Sequence, residues 1–230
     1  MKRWAVAKLS AGTLGVDVGL IQPRAAARQS LELGEITARM VIVAMFTFMA
    51  VRLGTDFLQT GRLTGLLLLA SESLVVILTV FRRSTGVVDR SAKARILMTL
   101  SLIGPLLVAP TAGGALVSDS MTVMISVCGL IIVIAGKLSL GRSFGLMPAN
   151  RGVVSSGLYR LVRHPIYMGY LITHSGFVAA NPTLWNLVML VGADIALMWR
   201  AVCEEQTLSR DAAYREYLQT VRWRVVPGVF

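Results

Sequence analysis

The sequence predicts an all-α, polytopic transmembrane bundle, and three observations carry that reading. Apolar residues make up 55% of the 230 and charged residues only 15%, against roughly 25% charged in a soluble domain. Mean hydropathy is +0.68. Apolar runs of membrane-spanning length recur along the chain, and the basic residues cluster between them. This composition excludes a disordered chain and argues against a soluble globule. The net charge of +11 on so little charged surface reads as membrane asymmetry, so no nucleic-acid partner is expected. Two cysteines do not make a disulfide framework, and no Cys/His spacing suggests a metal site.

A span needs about 20 mostly apolar residues. Candidates run over Ile36–Leu53, Leu63–Phe81, Ala94–Val117, Met121–Leu140, Ile166–Ala180 and Leu184–Cys203, giving five to six spans. The third contains Pro105 and Pro110, which should kink or break it. The fifth stops at Asn181-Pro182, so the last two spans are expected to form a helical hairpin. With six crossings, only Arg52 and Arg62 of the 23 Lys and Arg fall on one side. The positive-inside rule then puts both termini in the cytosol, at the plasma or inner membrane of a bacterium or the endoplasmic reticulum of a eukaryote. Residues 1–35 begin like a signal peptide, but Lys8 and Asp17 interrupt the apolar stretch, so a cytosolic arm is expected. Residues 36–136 then hold the N-terminal membrane helices, and 137–230 the region where chemistry is concentrated.

Two cytosolic segments are too structured to be connectors. One runs through Leu140-Gly141-Arg142-Ser143-Phe144 and on from Gly157-Leu158-Tyr159-Arg160 to Arg163-His164-Pro165-Ile166-Tyr167-Met168-Gly169. Pro165 biases His164 away from helical geometry and suits the first helical turn itself. His164 therefore stands where backbone N–H groups lack partners and the helix dipole is positive, a place that favours an anion. An interfacial belt of Arg, His and Tyr is the plain alternative.

The second segment begins at Arg200 and passes Glu204-Glu205, Tyr214 and Tyr217. Arg200 lies four residues before Glu204, so the two share a helix face. A capped, solvated ion pair would explain Arg200. It explains two adjacent acids at a helix C-terminus poorly, because the dipole there disfavours them.

The ordered set Arg163-His164-Pro165-x-Tyr167-x-Gly169, a hydrophobic hairpin, then Glu204-Glu205 resembles the cofactor signature of the isoprenylcysteine carboxyl methyltransferases and related phospholipid methyltransferases. Leu140-Gly141-Arg142, Gly157-Leu158-Tyr159-Arg160 and Tyr214-x-x-Tyr217 resemble its flanks, and the likeness covers roughly residues 137–227. It implies an integral membrane methyltransferase using S-adenosylmethionine, with S-adenosylhomocysteine as product and no Rossmann domain. By the same resemblance Tyr159, Arg163, His164, Tyr167, Gly169, Glu204 and Glu205 would line the cofactor pocket. Arg200 and Glu204 would act at the reacting end, with Arg200 orienting a carboxylate acceptor. The acceptor would be lipophilic or prenylated and would enter from the surrounding lipids.

Other polar residues fall inside the spans. Glu72 and Asp194 sit mid-span, and His174 shares a face with Tyr167 and Tyr170. An acid inside a bilayer is functional by default, though pairing with a neighbouring helix is the alternative. His174 and Asp194 are candidate substrate contacts. Two other readings remain open: an NADPH-dependent sterol-reductase-like enzyme, whose C-terminal region carries a similar Arg-His-Pro-x-Tyr pattern, and a non-catalytic membrane protein of the same fold.

Overall fold

The computed structural model describes residues 40, 43–81, 91–111, 114–143 and 152–230. The expected N-terminal arm, Arg82, Arg83, Arg90 and Phe144 lie outside the described residues. The chain divides into two compact units, Met1–Ala44 and Met45–Phe230. Within the first, residues 40, 43 and 44 are helical.

The second unit is helical among its described residues. Helix α1 covers 45–60 of it, followed by α2 (Thr64–Phe81), α3 (Ala92–Leu106), α4 (Asp119–Leu140), α5 (Pro165–Ala180), α6 (Leu184–Leu208) and α7 (Ala212–Thr220). Side chains set several boundaries. Ser91 accepts from the Ala94 N–H at 3.1 Å, Thr183 from that of Asn186 at 3.1 Å, and Asp211 from that of Ala213 at 3.0 Å; each supplies an N-cap oxygen. Helix α5 starts on Pro165, with His164 outside it at φ −128° and ψ 63°. Two helices, α4 and α6, are long and apolar enough to cross a membrane.

The third apolar run does not continue to Val117. Helix α3 ends at Leu106, about 22 Å long at 1.5 Å per residue. Proline is only half of the reason. Asn186 accepts from the Ala109 N–H at 2.9 Å and donates to its carbonyl at 2.8 Å. Asn181 accepts from the Thr111 N–H at 2.9 Å, and Trp185 donates to the Leu107 carbonyl at 2.9 Å. These groups replace the backbone hydrogen bonds that leaving the helix forfeits.

The expected hairpin exists in connectivity, since only Asn181–Thr183 separate α5 from α6. In packing, α5 lies chiefly on α4 and α6 chiefly on α3, while α2 rests on α4 and α5. Small residues make these approaches possible. A Cβ on Gly129 would strike Thr173, one on Gly169 would strike Val133 and the Gly129 carbonyl, and one on Gly176 would strike Ser126. Lipid tails are as apolar as leucine, so close van der Waals packing is what joins helices in a membrane. The resulting core has two ends. Met49, Leu53, Leu68, Leu106, Val108, Phe177 and Leu190 form one. Val133, Ile166, Tyr167, Tyr170, Leu197, Ala201 and Val225 form the other, beside the site described next.

Candidate functional site

The end of α6 meets the start of α5, and the chain's C-terminal tail straps the junction. Val162 and Trp223 pair as a parallel bridge. The Arg163 and His164 N–H groups donate to the Trp223 and Arg224 carbonyls at 2.9 and 2.7 Å. Helix α7 turns Tyr214 and Tyr217 inward, both buried, and the Tyr217 hydroxyl donates to the Tyr159 carbonyl at 2.7 Å.

Six of the predicted residues converge here. Tyr167 donates its hydroxyl hydrogen to Glu204 Oε1 at 2.7 Å, and Arg200 Nε donates to the same oxygen at 3.1 Å. The Arg200 guanidinium also lies over the Tyr167 ring, 5.6 Å from its centroid. The His164 and Tyr167 rings stack 5.2 Å apart and 7° from parallel. His164 Nδ1 is 3.7 Å from Glu204 Oε2, and its Nε2 is 3.4 Å from Glu205 Oε1.

The two acids have different surroundings. Arg163 reaches both oxygens of Glu205 at 3.2 Å, and Arg224 donates to Oε2 at 2.9 Å. Arg163 further donates to the Val221 carbonyl at 2.7 Å and the Leu218 carbonyl at 3.5 Å. Glu205 is thus the hub that ties tail, α5 and α6 together. Glu204 is the more exposed, with a side chain 17% accessible against 7% for Glu205. The adjacent acids, anomalous at the C-terminus of α6, are answered by three guanidinium groups and by the positive N-terminus of α5.

Three tyrosines outside the apolar spans stay protonated. Burial pushes the Tyr217 hydroxyl up to about 12, with Arg163 opposing and Glu205 assisting. It also raises Tyr214, reinforced by Glu205, and Tyr159, reinforced by Glu204. Tyr217 accordingly acts as a neutral hydrogen-bond donor to the Tyr159 carbonyl.

Gly169 is placed differently from its neighbours in the motif. The close approach it permits is to Val133 and Gly129 of α4. His174 and Asp194 are brought together by a 2.6 Å contact between His174 Nδ1 and Asp194 Oδ1, apart from the Glu204 cluster. Sequence reasoning missed Arg224 as a partner of Glu205. It also used Lys137 only for topology. That lysine is 1% exposed in the last turn of an apolar helix, which is a signal in itself. Among the described residues no three His, Cys, Asp or Glu side chains are arranged to hold a metal ion.

Residues 119–215 match the family model described as phospholipid methyltransferase. The match makes this region similar to the membrane methyltransferase group to which that family belongs. The matched stretch contains α4, α5, α6 and every predicted site residue, so the Glu204 cluster lies inside it. No curated protein matches the chain.

Proposed function

We propose that the protein is an integral membrane, S-adenosylmethionine-dependent methyltransferase, similar to the isoprenylcysteine carboxyl methyltransferases, acting on a lipophilic acceptor drawn from the bilayer. The observation that carries this is the Glu204–His164–Tyr167 constellation within the methyltransferase-like segment. A carboxylate stands beside two stacked rings, and the buried His164 Nε2 has no hydrogen-bond partner among the described residues. Those groups fit a ligand that combines a cation, ribose hydroxyls and a flat base. When bound, S-adenosylmethionine supplies a methyl group already activated on a sulfonium.

The chain's own residues then have separable tasks. Glu204, Tyr167 and His164 would hold the cofactor, with Tyr159 at the rim. Arg163 and Glu205 would fix the frame, and Gly169 would let α5 settle on α4. Arg200 would steady Glu204 near the reacting end. Methyl transfer demands alignment and exclusion of water more than acid or base strength. The exposed apolar side chains of α6, including Val191, Ile195 and Trp199, suit a lipid-facing approach for the acceptor. With both termini cytosolic, the cluster would face the compartment that supplies S-adenosylmethionine. The methyltransferase match favours this reading over the nicotinamide-dependent reductase.

The test is transfer of radiolabelled methyl from S-adenosylmethionine into organic-extractable material by protein in nanodiscs made from lipid extract. Label in the organic phase, lost in Glu204→Ala, supports the proposal. No label with folded protein, together with nicotinamide-dependent turnover, would replace it with the reductase.

A further inference from the structure

Four helices each send one ionisable side chain into the same part of the bundle, away from the Glu204 site. They are Glu72 of α2, Lys137 of α4, His174 of α5 and Asp194 of α6. Glu72, Lys137 and His174 are 3%, 1% and 1% exposed. Lys137 Nζ donates to the Ser71 carbonyl at 3.2 Å, lies 5.1 Å from the Tyr170 ring centroid and is within Coulombic reach of Glu72. Tyr170 in turn stacks on His174, with centroids 5.9 Å apart.

Both ring nitrogens of His174 face carboxylates. Nδ1 lies 2.6 Å from Asp194 Oδ1, and Nε2 lies 3.8 Å from Glu72 Oε1. The first contact has the length of a hydrogen bond, so a hydrogen occupies it. A neutral imidazole has one donor nitrogen and one acceptor nitrogen. With Nδ1 the donor, a neutral ring would turn the bare Nε2 lone pair toward a carboxylate oxygen. Nε2 and Glu72 Oε1 are both buried without a hydrogen-bond partner among the described residues, so nothing else relieves that opposition. A second hydrogen on Nε2 converts it into attraction between charges. Charge balance requires the same hydrogen. Lys137 offsets one of the two carboxylates, and only a protonated His174 offsets the other. An uncompensated charge in a low-dielectric interior is heavily penalised.

We propose that His174 is held as an imidazolium between Asp194 and Glu72, and that this buried proton latches α2 to α5 and α6. Glu72 is the one ionisable residue of α2, so every side-chain ionic attachment of that helix passes through it. Helix α2 rests on α4 and α5 and precedes the matched segment 119–215, so the latch is not contained in the family match. Nor does it depend on the methyltransferase reading. The groups facing His174 are Glu72 from α2, Lys137 from α4, Asp194 from α6 and Tyr170 from its own helix. Arg200, further along α6, is taken up by Glu204. In an unfolded chain the imidazole gives up its proton at about pH 6.5. Above that pH the folded chain holds one proton more, so its stability falls as pH rises, until the latch itself releases the proton. Loosening of α2 is the structural consequence.

The test uses the detergent-purified full chain with isotopically labelled histidine, read by nitrogen magnetic resonance. The sequence holds two histidines, so either a His164→Gln or a His174→Gln sample assigns both sets of ring signals. At about pH 8, where a free imidazole is neutral, both ring nitrogens of His174 should be protonated. Glu72→Gln should bring the loss of one of those protons down by about 1–3 pH units, the reach of one nearby opposite charge. Hydrogen exchange across α2, corrected for its intrinsic pH dependence, should stay slow while His174 keeps both hydrogens. Protection should be lost once one hydrogen leaves, and it should be missing at every pH in His174→Gln. A bare ring nitrogen on His174 at about pH 8 would overturn the imidazolium. Exchange across α2 that ignores the lost proton, or that follows pH equally in His174→Gln, would overturn the latch. The ring signals of the unsubstituted protein decide the first point even where Glu72→Gln fails to fold.

Discussion

Tyr167 and Glu204 share a 2.7 Å hydrogen bond that joins the first turn of α5 to the end of α6. It also fixes the carboxylate over which Arg200 closes. The pair is 37 residues apart in sequence, yet it forms the centre of the proposed cofactor site. Glu204→Ala is expected to weaken S-adenosylmethionine binding by at least 100-fold, roughly the loss of two charge-assisted contacts at about 1.5–3 kcal/mol each. Tyr167→Phe, which keeps the ring, should cost only about tenfold. Isothermal calorimetry separates the two; equal effects would deny Glu204 its distinct role.

Glu205 should behave differently from its neighbour. It is held by Arg163 and Arg224, so Glu205→Ala leaves two part-buried cations without their carboxylate. Breaking a buried pair costs about 3–5 kcal/mol, and solvent at Arg224 brings the expected loss below that range. The expected readout is a lowered unfolding temperature and faster hydrogen exchange across residues 221–226, which the Arg163 contacts tie down. A Glu205→Ala protein with unchanged exchange there but no cofactor affinity would make Glu205 a direct ligand.

Arg200→Ala is expected to spare cofactor affinity within about threefold and to lose most turnover. Arg200 contacts Glu204 through one of its two hydrogen-bonding oxygen atoms, while Tyr167 continues to hold that oxygen. Parallel binding and turnover measurements test the split. Equal losses in both would place Arg200 with the cofactor.

Tyr217 ties α7 to the Tyr159 carbonyl, and burial raises its hydroxyl from 10.0 to about 12. A raised acid contributes stability that is complete below pH 10 and is lost as pH climbs through about 12. Tyr217→Phe should therefore cost about 1 kcal/mol near neutrality, with the gap from the unsubstituted protein closing between pH 10 and 12. Unfolding midpoints across that range check the sign. A gap that widens with pH would contradict it.

How much of this was legible in the sequence depends on the range of each interaction. His164 before Pro165, and Arg200 four residues before Glu204, are local patterns, and local geometry placed them as expected. The Glu204–His164 meeting was legible only through the resemblance, because nothing in spacing alone brings the two segments together. Arg224 was invisible, since it reaches Glu205 only after α7 reverses the chain. The end of α3 was half legible. Pro105 and Pro110 signal a break, but hydropathy cannot register that Asn181 and Asn186 satisfy the backbone beyond it. Gly169 carries a packing role that the motif did not reveal: the structure sets it against Val133 and Gly129. Gly169→Ala should accordingly lower the unfolding temperature, as overpacking by about 1–3 kcal/mol does.

The most direct measurement is calorimetric binding of S-adenosylmethionine and S-adenosylhomocysteine to detergent-purified protein, alongside His164→Ala and Glu204→Ala. Saturable binding to the unsubstituted chain, lost in both variants while their unfolding remains cooperative, is the predicted result. Folded protein that binds neither compound, or variants that bind as well as the parent, would contradict the assignment of this site.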